Sequence, residues 1–215
     1  MNVQWGKRMK IEIFVTGIIS TNCYVVYNED TKETIVVDPA GVPKKMIEFI
    51  KENELSIKAV LLTHAHFDHI MGLDKLVALY GDMPIYVEES DLELLHEPEK
   101  NESTVYTAGY SYKGGDVIHD NDVLSLIGYD FKVIHTPGHT AGGVCYYVAS
   151  EGVLFSGDTL FHGSVGRSDF ATSSTADLIR SIKEKLFLLP DETIVYPGHM
   201  GATTIGDEKL NNPYI

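Results

Sequence analysis

The sequence predicts an α/β fold in which two mixed sheets pack face to face with helices outside. Three observations carry this expectation. Short strand-patterned runs end abruptly at turn residues, helical periods follow several of them, and the strands-then-helix order occurs twice along the 215 residues. The length and the lack of any linker between the halves point to one domain, residues 1–215, with a sizeable core.

Residues 10–15, 23–27 and 34–38 alternate apolar and polar side chains between polar or glycine-containing turns, the pattern of antiparallel strands. Pro43 suits the first position of a helix, where its missing N–H costs nothing, and Met46, Ile47, Phe49 and Ile50 then share one face. Residues 57–63 are a continuous apolar run of strand length. After a histidine-rich break, Ile70, Leu73, Leu76, Val77 and Tyr80 resume a helical period. A short strand at 84–87 and a short helix at 91–95 continue the alternation. Residues 96–116, rich in Glu, Ser, Gly and Tyr, show no period and read as a long loop, either a cover over a site or a solvated excursion. Strands at 123–127, 131–135, 143–148 and 153–156, a helix at 175–188 and a strand at 193–196 complete the chain.

The apolar fraction of 44% and charged fraction of 22% are those of a soluble globular protein. Seventeen Lys and Arg against 31 Asp and Glu give a net charge of −14, which repels phosphate backbones and argues against a nucleic-acid partner. An anionic substrate would need a local cation, and Arg167 is the candidate. Cys23 and Cys145 form no CxxC pair and read as two ordinary buried thiols in a reducing compartment. Lys7, Arg8 and Lys10 precede a stretch broken by Glu12, Thr16 and Gly17 with no cleavage-site pattern, so no signal peptide is expected. No run approaches the roughly 20 apolar residues that cross a bilayer. A cytoplasmic enzyme without a membrane partner is expected.

The chemistry concentrates in Thr63-His64-Ala65-His66-Phe67-Asp68-His69, three imidazoles and a carboxylate that a tight loop can converge on one point. Crowded imidazoles repel one another when protonated, and a divalent cation resolves that conflict. One loop cannot complete two coordination shells. His139 in Thr136-Pro137-Gly138-His139-Thr140, Asp158 in Phe155-Ser156-Gly157-Asp158-Thr159 and His199 in Tyr196-Pro197-Gly198-His199 each follow a glycine at a strand end, where the backbone can turn and present a side chain at the sheet edge. His96, His119 and His135 lack such context and suit hydrogen-bonding or surface roles. His162 lies near enough to Asp158 to line a pocket but is not expected to coordinate.

These blocks, in this order, resemble the metallo-β-lactamase superfamily over nearly the whole chain, which implies its αββα sandwich. The resemblance implies that His64, His66 and His139 bind one metal and Asp68, His69 and His199 another, with Asp158 bridging. Zinc is the default for both divalent ions, with iron or manganese as alternatives. Two such ions about 3.5 to 4 Å apart can share a hydroxide and polarise a carbonyl, which is hydrolytic chemistry. Asp68 and Asp158 are the catalytic carboxylates of this reading, Asp68 as the group that would orient the attacking oxygen.

Gly157-Asp158-Thr159-Leu160-Phe161 and Gly166-Arg167-Ser168-Asp169-Phe170 resemble the glyoxalase II branch, particularly its short bacterial members. This implies hydrolysis of a small-molecule thioester, of glutathione or another thiol, with Arg167 forking onto a substrate carboxylate. The chain ends at Ile215 without the helical C-terminal domain of full-length glyoxalase II, and Met200 and Gly201 stand where that family has other residues. Thioester hydrolysis therefore carries over and glutathione specificity does not. A persulfide dioxygenase, with one iron on His64, His139 and Asp158, shares the fold and the Gly-Arg-x-Asp-Phe segment and stays open. A non-catalytic metal-stabilised module is disfavoured, because structural zinc sites are closed and cysteine-rich. Nuclease relatives are disfavoured by the acidic balance.

Overall fold

The computed structural model describes residues 9–215. Lys7 and Arg8, on which part of the leader reading rests, lie outside the described residues. The first sheet contains β1 (Met9–Thr16), β2 (Thr21–Asn28), β3 (Glu33–Val37), β4 (Ser56–Leu61), β5 (Ile85–Glu88) and β6 (Asp116–Ile118) in that spatial order. Its first three strands are antiparallel and its last four run parallel. The second sheet has the order β14-β13-β10-β9-β8-β7, from β7 (Val123–Leu126), β8 (Tyr129–His135), β9 (Val144–Val148), β10 (Val153–Gly157), β13 (Ile194–Pro197) and β14 (Thr203–Thr204). A two-stranded ribbon, β11 (Leu160–Phe161) and β12 (Ser164–Val165), stands apart from both.

Period-two alternation explains the layering. On β2, Tyr24 and Val26 face the second sheet and join Phe131, Val133, Tyr146 and Phe155 in a core between the sheets. Cys23 and Val25, from the same strand, face outward and pack under α1 (Lys44–Glu52) and α3 (Leu73–Tyr80), with Met46, Ile50, Leu73 and Leu76. The second sheet repeats this, its outer residues Ile134, Cys145, Leu154 and Val195 packing beneath Leu178 and Ile182 of α6 (Thr175–Glu184) and Ile205 of α7 (Ile205–Asn211). Each buried aliphatic side chain stabilises the assembly by roughly 1.5–3 kcal/mol before chain entropy is subtracted. Two mixed sheets with helices outside are therefore the observed architecture, as expected.

Local departures have physical causes. The single helix expected over residues 70–80 is two, α2 (Phe67–Ile70) and α3. Between them the Gly72 N–H donates to Pro39 O at 2.7 Å, an approach so close that a Cβ on Gly72 would sit 2.5 Å from that oxygen. Pro43 precedes α1 in extended conformation rather than opening it. The helix expected at 175–188 ends at Glu184 and continues as a 3-10 turn, Leu186–Leu188. Residues 96–116 are an anchored segment carrying α5 (Ser103–Tyr106), downstream of α4 (Leu92–His96). Buried Asn101 donates to Leu94 O and Tyr110 O, at 3.0 and 2.9 Å, and its own carbonyl accepts from the Phe67 N–H at 2.9 Å. Polar side chains do here what an apolar period does elsewhere.

Candidate metal centre

The ligand-bearing segments leave the C-terminal ends of β4, β8, β10 and β13, so the site straddles matching edges of both sheets. Glycine lets them meet. A Cβ on Gly198 would lie 2.2 Å from Asp158 Oδ1, and one on Gly157, at φ +49°, would lie 2.3 Å from Thr63 Oγ1. Asn22 on β2 fixes the last segment, its side-chain amide donating to Pro197 O and Met200 O, both at 2.9 Å.

All seven expected side chains come together. Three triads have ligand atoms within 4.8 Å of one another: His64, His66 and His139; Asp68, His69 and His199; and His64, His69 and Asp158. His66 Nδ1 faces His139 Nε2 at 2.9 Å. His69 Nε2 lies 3.3 Å from Asp68 Oδ2 and 3.4 Å from Asp158 Oδ1. His199 Nε2 lies 3.3 Å from Asp68 Oδ2 and 3.5 Å from Asp158 Oδ2. His64 Nε2, His69 Nε2 and Asp158 Oδ1 are buried atoms without a hydrogen-bond partner among the described residues. Buried polar atoms are normally satisfied. A donor set of imidazole and carboxylate with unsatisfied atoms pointing into shared space fits divalent transition ions.

The electrostatics divide the site into two corners. Burial first, then the neighbouring imidazoles, holds His64 well below its ordinary pKa, and the same causes bring His66 down to about 3. Burial also lowers His139 against the pull of Asp158. These three rings are neutral, with lone pairs available to a metal. In the other corner burial opposes charge on His69, but Asp68, Asp38 and Asp158 outweigh it and hold the imidazole well above its ordinary value. His199 is raised, burial being outweighed mainly by its hydrogen bond to Asp68 and by Asp158. Asp68 and Asp158 are held low by His69 and its neighbours despite burial, so both are carboxylates.

Outer contacts aim the ligands, and the sequence reading did not reach them. Asp38, in left-handed backbone at φ +50°, lies 2.9 Å from His69 Nδ1 and accepts from the Thr63 N–H at 2.8 Å and its hydroxyl at 2.7 Å. The Thr21 hydroxyl donates to Asp68 Oδ2 at 2.7 Å. His139 Nδ1–H donates to Arg167 O at 2.8 Å, leaving Nε2 for the site. Asp91, fully buried, accepts from the Ala65 N–H at 3.0 Å, the Thr140 hydroxyl at 2.9 Å and the Gly142 N–H at 2.7 Å. It thereby ties the loop of residues 64–69 to the loop that carries His139. Burial raises its pKa to about 6 against those donors. An aspartate closing the apolar run at β3 was the available signal for Asp38. Asp91 looks in sequence like an ordinary helix start.

A pocket of about 380 Å³ opens onto the site, walled by Ile19, Phe161, Phe170 and Met200 among others. Arg167 lines it, but its guanidinium already forks onto Asp169, Nε to Oδ1 at 3.0 Å and Nη2 to Oδ2 at 2.9 Å, above the Phe170 ring. His162 is exposed and groups with Asp207 and Glu208 instead. His96 and His135 pair with Gly114 O and Ala141 O, and His119 is an exposed neighbour of Glu89, the ordinary roles expected of them. Cys23 and Cys145 are buried free thiols.

The chain is similar to several known proteins. The hydroxyacylglutathione hydrolase GloC of Haemophilus influenzae is 33% identical, over 96% of this chain and 98% of that protein. The structure of BLEG-1, a B3 metallo-β-lactamase, is 39% identical with a TM-score of 0.89, covering 95% of this chain and 99% of that one. TTHA1623 in a di-iron-bound form is 34% identical with a TM-score of 0.84, covering 95% and 100%. The model of the metallo-β-lactamase superfamily matches residues 16–199, a span that contains every one of the converging side chains. The chain belongs to the metallo-β-lactamase superfamily, whose members are mostly hydrolytic metalloenzymes.

Proposed function

We propose that residues 1–215 form one catalytic unit, a dinuclear metallohydrolase that cleaves small-molecule thioesters in the cytoplasm in the manner of glyoxalase II. The convergence of seven ligand-type side chains, with buried atoms on His64, His69 and Asp158 that have no hydrogen-bond partner among the described residues, carries this reading. His64, His66 and His139 would hold one divalent ion and Asp68, His69 and His199 the other, with Asp158 placed to serve both. Zinc is the first choice, with iron or manganese as alternatives; the di-iron form of one relative supports iron. Such a pair, when bound, supplies Lewis acidity at a carbonyl and lowers the pKa of water toward neutrality.

The chain's own residues supply the rest. Thr21 holds one oxygen of Asp68, so this carboxylate is oriented to steer a proton at the reacting centre. Phe161, Phe170 and Met200 give the acyl thioester an apolar wall that excludes water. Arg167 takes a substrate carboxylate by exchanging it for Asp169, fork for fork. The name of the Haemophilus influenzae relative supports a thioester as the substrate class.

A second reading is a mononuclear-iron persulfide dioxygenase built on His64, His139 and Asp158. It is favoured by the 3.6 Å approach of His139 Nε2 to Asp158 Oδ2. Hydrolysis of S-lactoylglutathione and of a simpler thioester, beside persulfide-dependent oxygen consumption on the same preparation, decides between them. Thioester turnover without oxygen uptake is expected; oxygen uptake without thioester turnover overturns the hydrolase.

A further inference from the structure

The corner built from His64, His66 and His139 is a cage of three imidazoles set edge to face. The rings of His64 and His66 meet at 90° with centroids 4.9 Å apart, those of His64 and His139 at 83° and 4.7 Å, and those of His66 and His139 at 87° and 4.7 Å. Lone pairs converge from such a cage only if each ring is fixed about its side-chain torsions. Two rings are fixed from outside by hydrogen bonds. His64 Nδ1 lies 3.2 Å from the Thr63 hydroxyl, and His139 Nδ1–H donates to Arg167 O at 2.8 Å. In the other corner Asp38 stands 2.9 Å from His69 Nδ1 in the same role.

His66 is the exception. It turns Nδ1 toward His139 Nε2, 2.9 Å away, and among the described residues no group outside the ligand set hydrogen-bonds its ring. Phe170 meets that ring instead, with centroids 4.7 Å apart and planes at 54°. The same phenyl ring stands nearly perpendicular to His139, at 89° and 5.4 Å. Phe170 is itself held: its carbonyl accepts from the Ser173 N–H at 3.1 Å and from the Ser173 hydroxyl at 2.8 Å. The Arg167 guanidinium lies over the ring, 4.7 Å from its centroid. A packed aromatic neighbour restrains an imidazole by excluded volume and by edge-to-face attraction, where a hydrogen bond would restrain it by direction.

We propose that Phe170 is the positioning residue of His66, its ring doing for this ligand what hydrogen bonds do for His64 and His139, so that metal affinity in this corner depends on an aromatic side chain at position 170. The role belongs to one corner, since Asp68, His69 and His199 make no ring contact with Phe170 among the described residues. It rests on the paired-site reading only for the separation of the two corners.

The test is cobalt(II) titration of the metal-free protein, followed by visible absorption, in two backgrounds. His199→Ala leaves the corner that contains His66, and His66→Ala leaves the corner that contains His199. Phe170→Ala is expected to weaken cobalt binding about tenfold in the first background and to leave it unchanged in the second. Phe170→Tyr, which keeps the ring, is expected to stay within about twofold of the parent, and Phe170→Leu, which keeps bulk without the ring, to weaken binding several-fold. Equal weakening in both backgrounds marks a general structural loss and overturns the assignment. So does undiminished affinity of Phe170→Ala or Phe170→Leu in the first background. If the wild type holds a single ion that Phe170→Ala weakens and Phe170→Tyr retains, the positioning role stands and the paired reading falls. If two ions bind and neither responds to Phe170, the reverse holds.

Discussion

The first sheet contributes its four candidate ligands from one six-residue stretch, His64, His66, Asp68 and His69, whereas the second contributes His139, Asp158 and His199 from three separate strand ends. The first set is organised locally, by the turn entering α2. The second depends on the fold, through the Gly157 and Gly198 approaches and through Asn22 reaching across from the other sheet. Asp91 joins the sets, holding the loop at Ala65 and the loop at Thr140 and Gly142 together. Each corner draws on both sets, His139 joining His64 and His66 and His199 joining Asp68 and His69, so even one complete corner needs both sheets in register.

Emptying one corner has the largest expected effect. His66→Ala is expected to remove most thioesterase activity, the largest effect, with steady-state kinetics as the measure. Next, Asp91→Ala strands two N–H donors and a hydroxyl in the interior. It is expected to cost about 3 kcal/mol of unfolding free energy and to weaken metal retention about tenfold, read by denaturant melts and chelator competition. Retention unchanged in a folded variant would mean that the two sets do not need this clasp.

The pH dependence sharpens the same point. The folded pKa of Asp91, about 6, lies above the ordinary 3.8, so the folded state binds its proton more tightly. The contribution of this group is fully present below pH 3.8 and is lost as pH rises through 6, a decline of about 3 kcal/mol. Unfolding free energies of the metal-free protein across that window should show this decline in wild type and lose it in Asp91→Asn. Arg167→Ala is expected to raise KM a few-fold for carboxylate-bearing thioesters while changing kcat less. Equal KM values on anionic and neutral thioesters in both proteins would remove the carboxylate contact. His162→Ala should leave kinetics within error, the smallest effect.

The same contrast decides what could be read in advance. The stretch His64–His69 declares itself by density. The single ligands of the second sheet are visible only because each follows a glycine at the end of an apolar run. Thr21 and Asp91 carry no such mark, and Asp38 only its place at the end of an apolar run, because an outer support is one residue whose partner is chosen by the fold. Strands such as β2 and β4 were legible from the apolar patterning of residues 23–27 and the continuous apolar run of residues 57–63, while the break at Gly72 and the helix inside residues 96–116 were not. Their causes are a distant carbonyl, Pro39 O, and side-chain amide and hydroxyl bonds from Asn101 and Ser103. The fork of Arg167 onto Asp169 was likewise hidden, since a Gly-Arg-x-Asp-Phe pattern does not say whether the arginine is free.

Elemental analysis of protein purified without added metal tests the paired site most directly, applied to wild type, His66→Ala and His199→Ala. Two divalent ions per chain are expected in wild type and one in each variant, because each substitution empties a different corner. A single ion in the wild type, retained in His199→Ala and lost in His66→Ala, would contradict it.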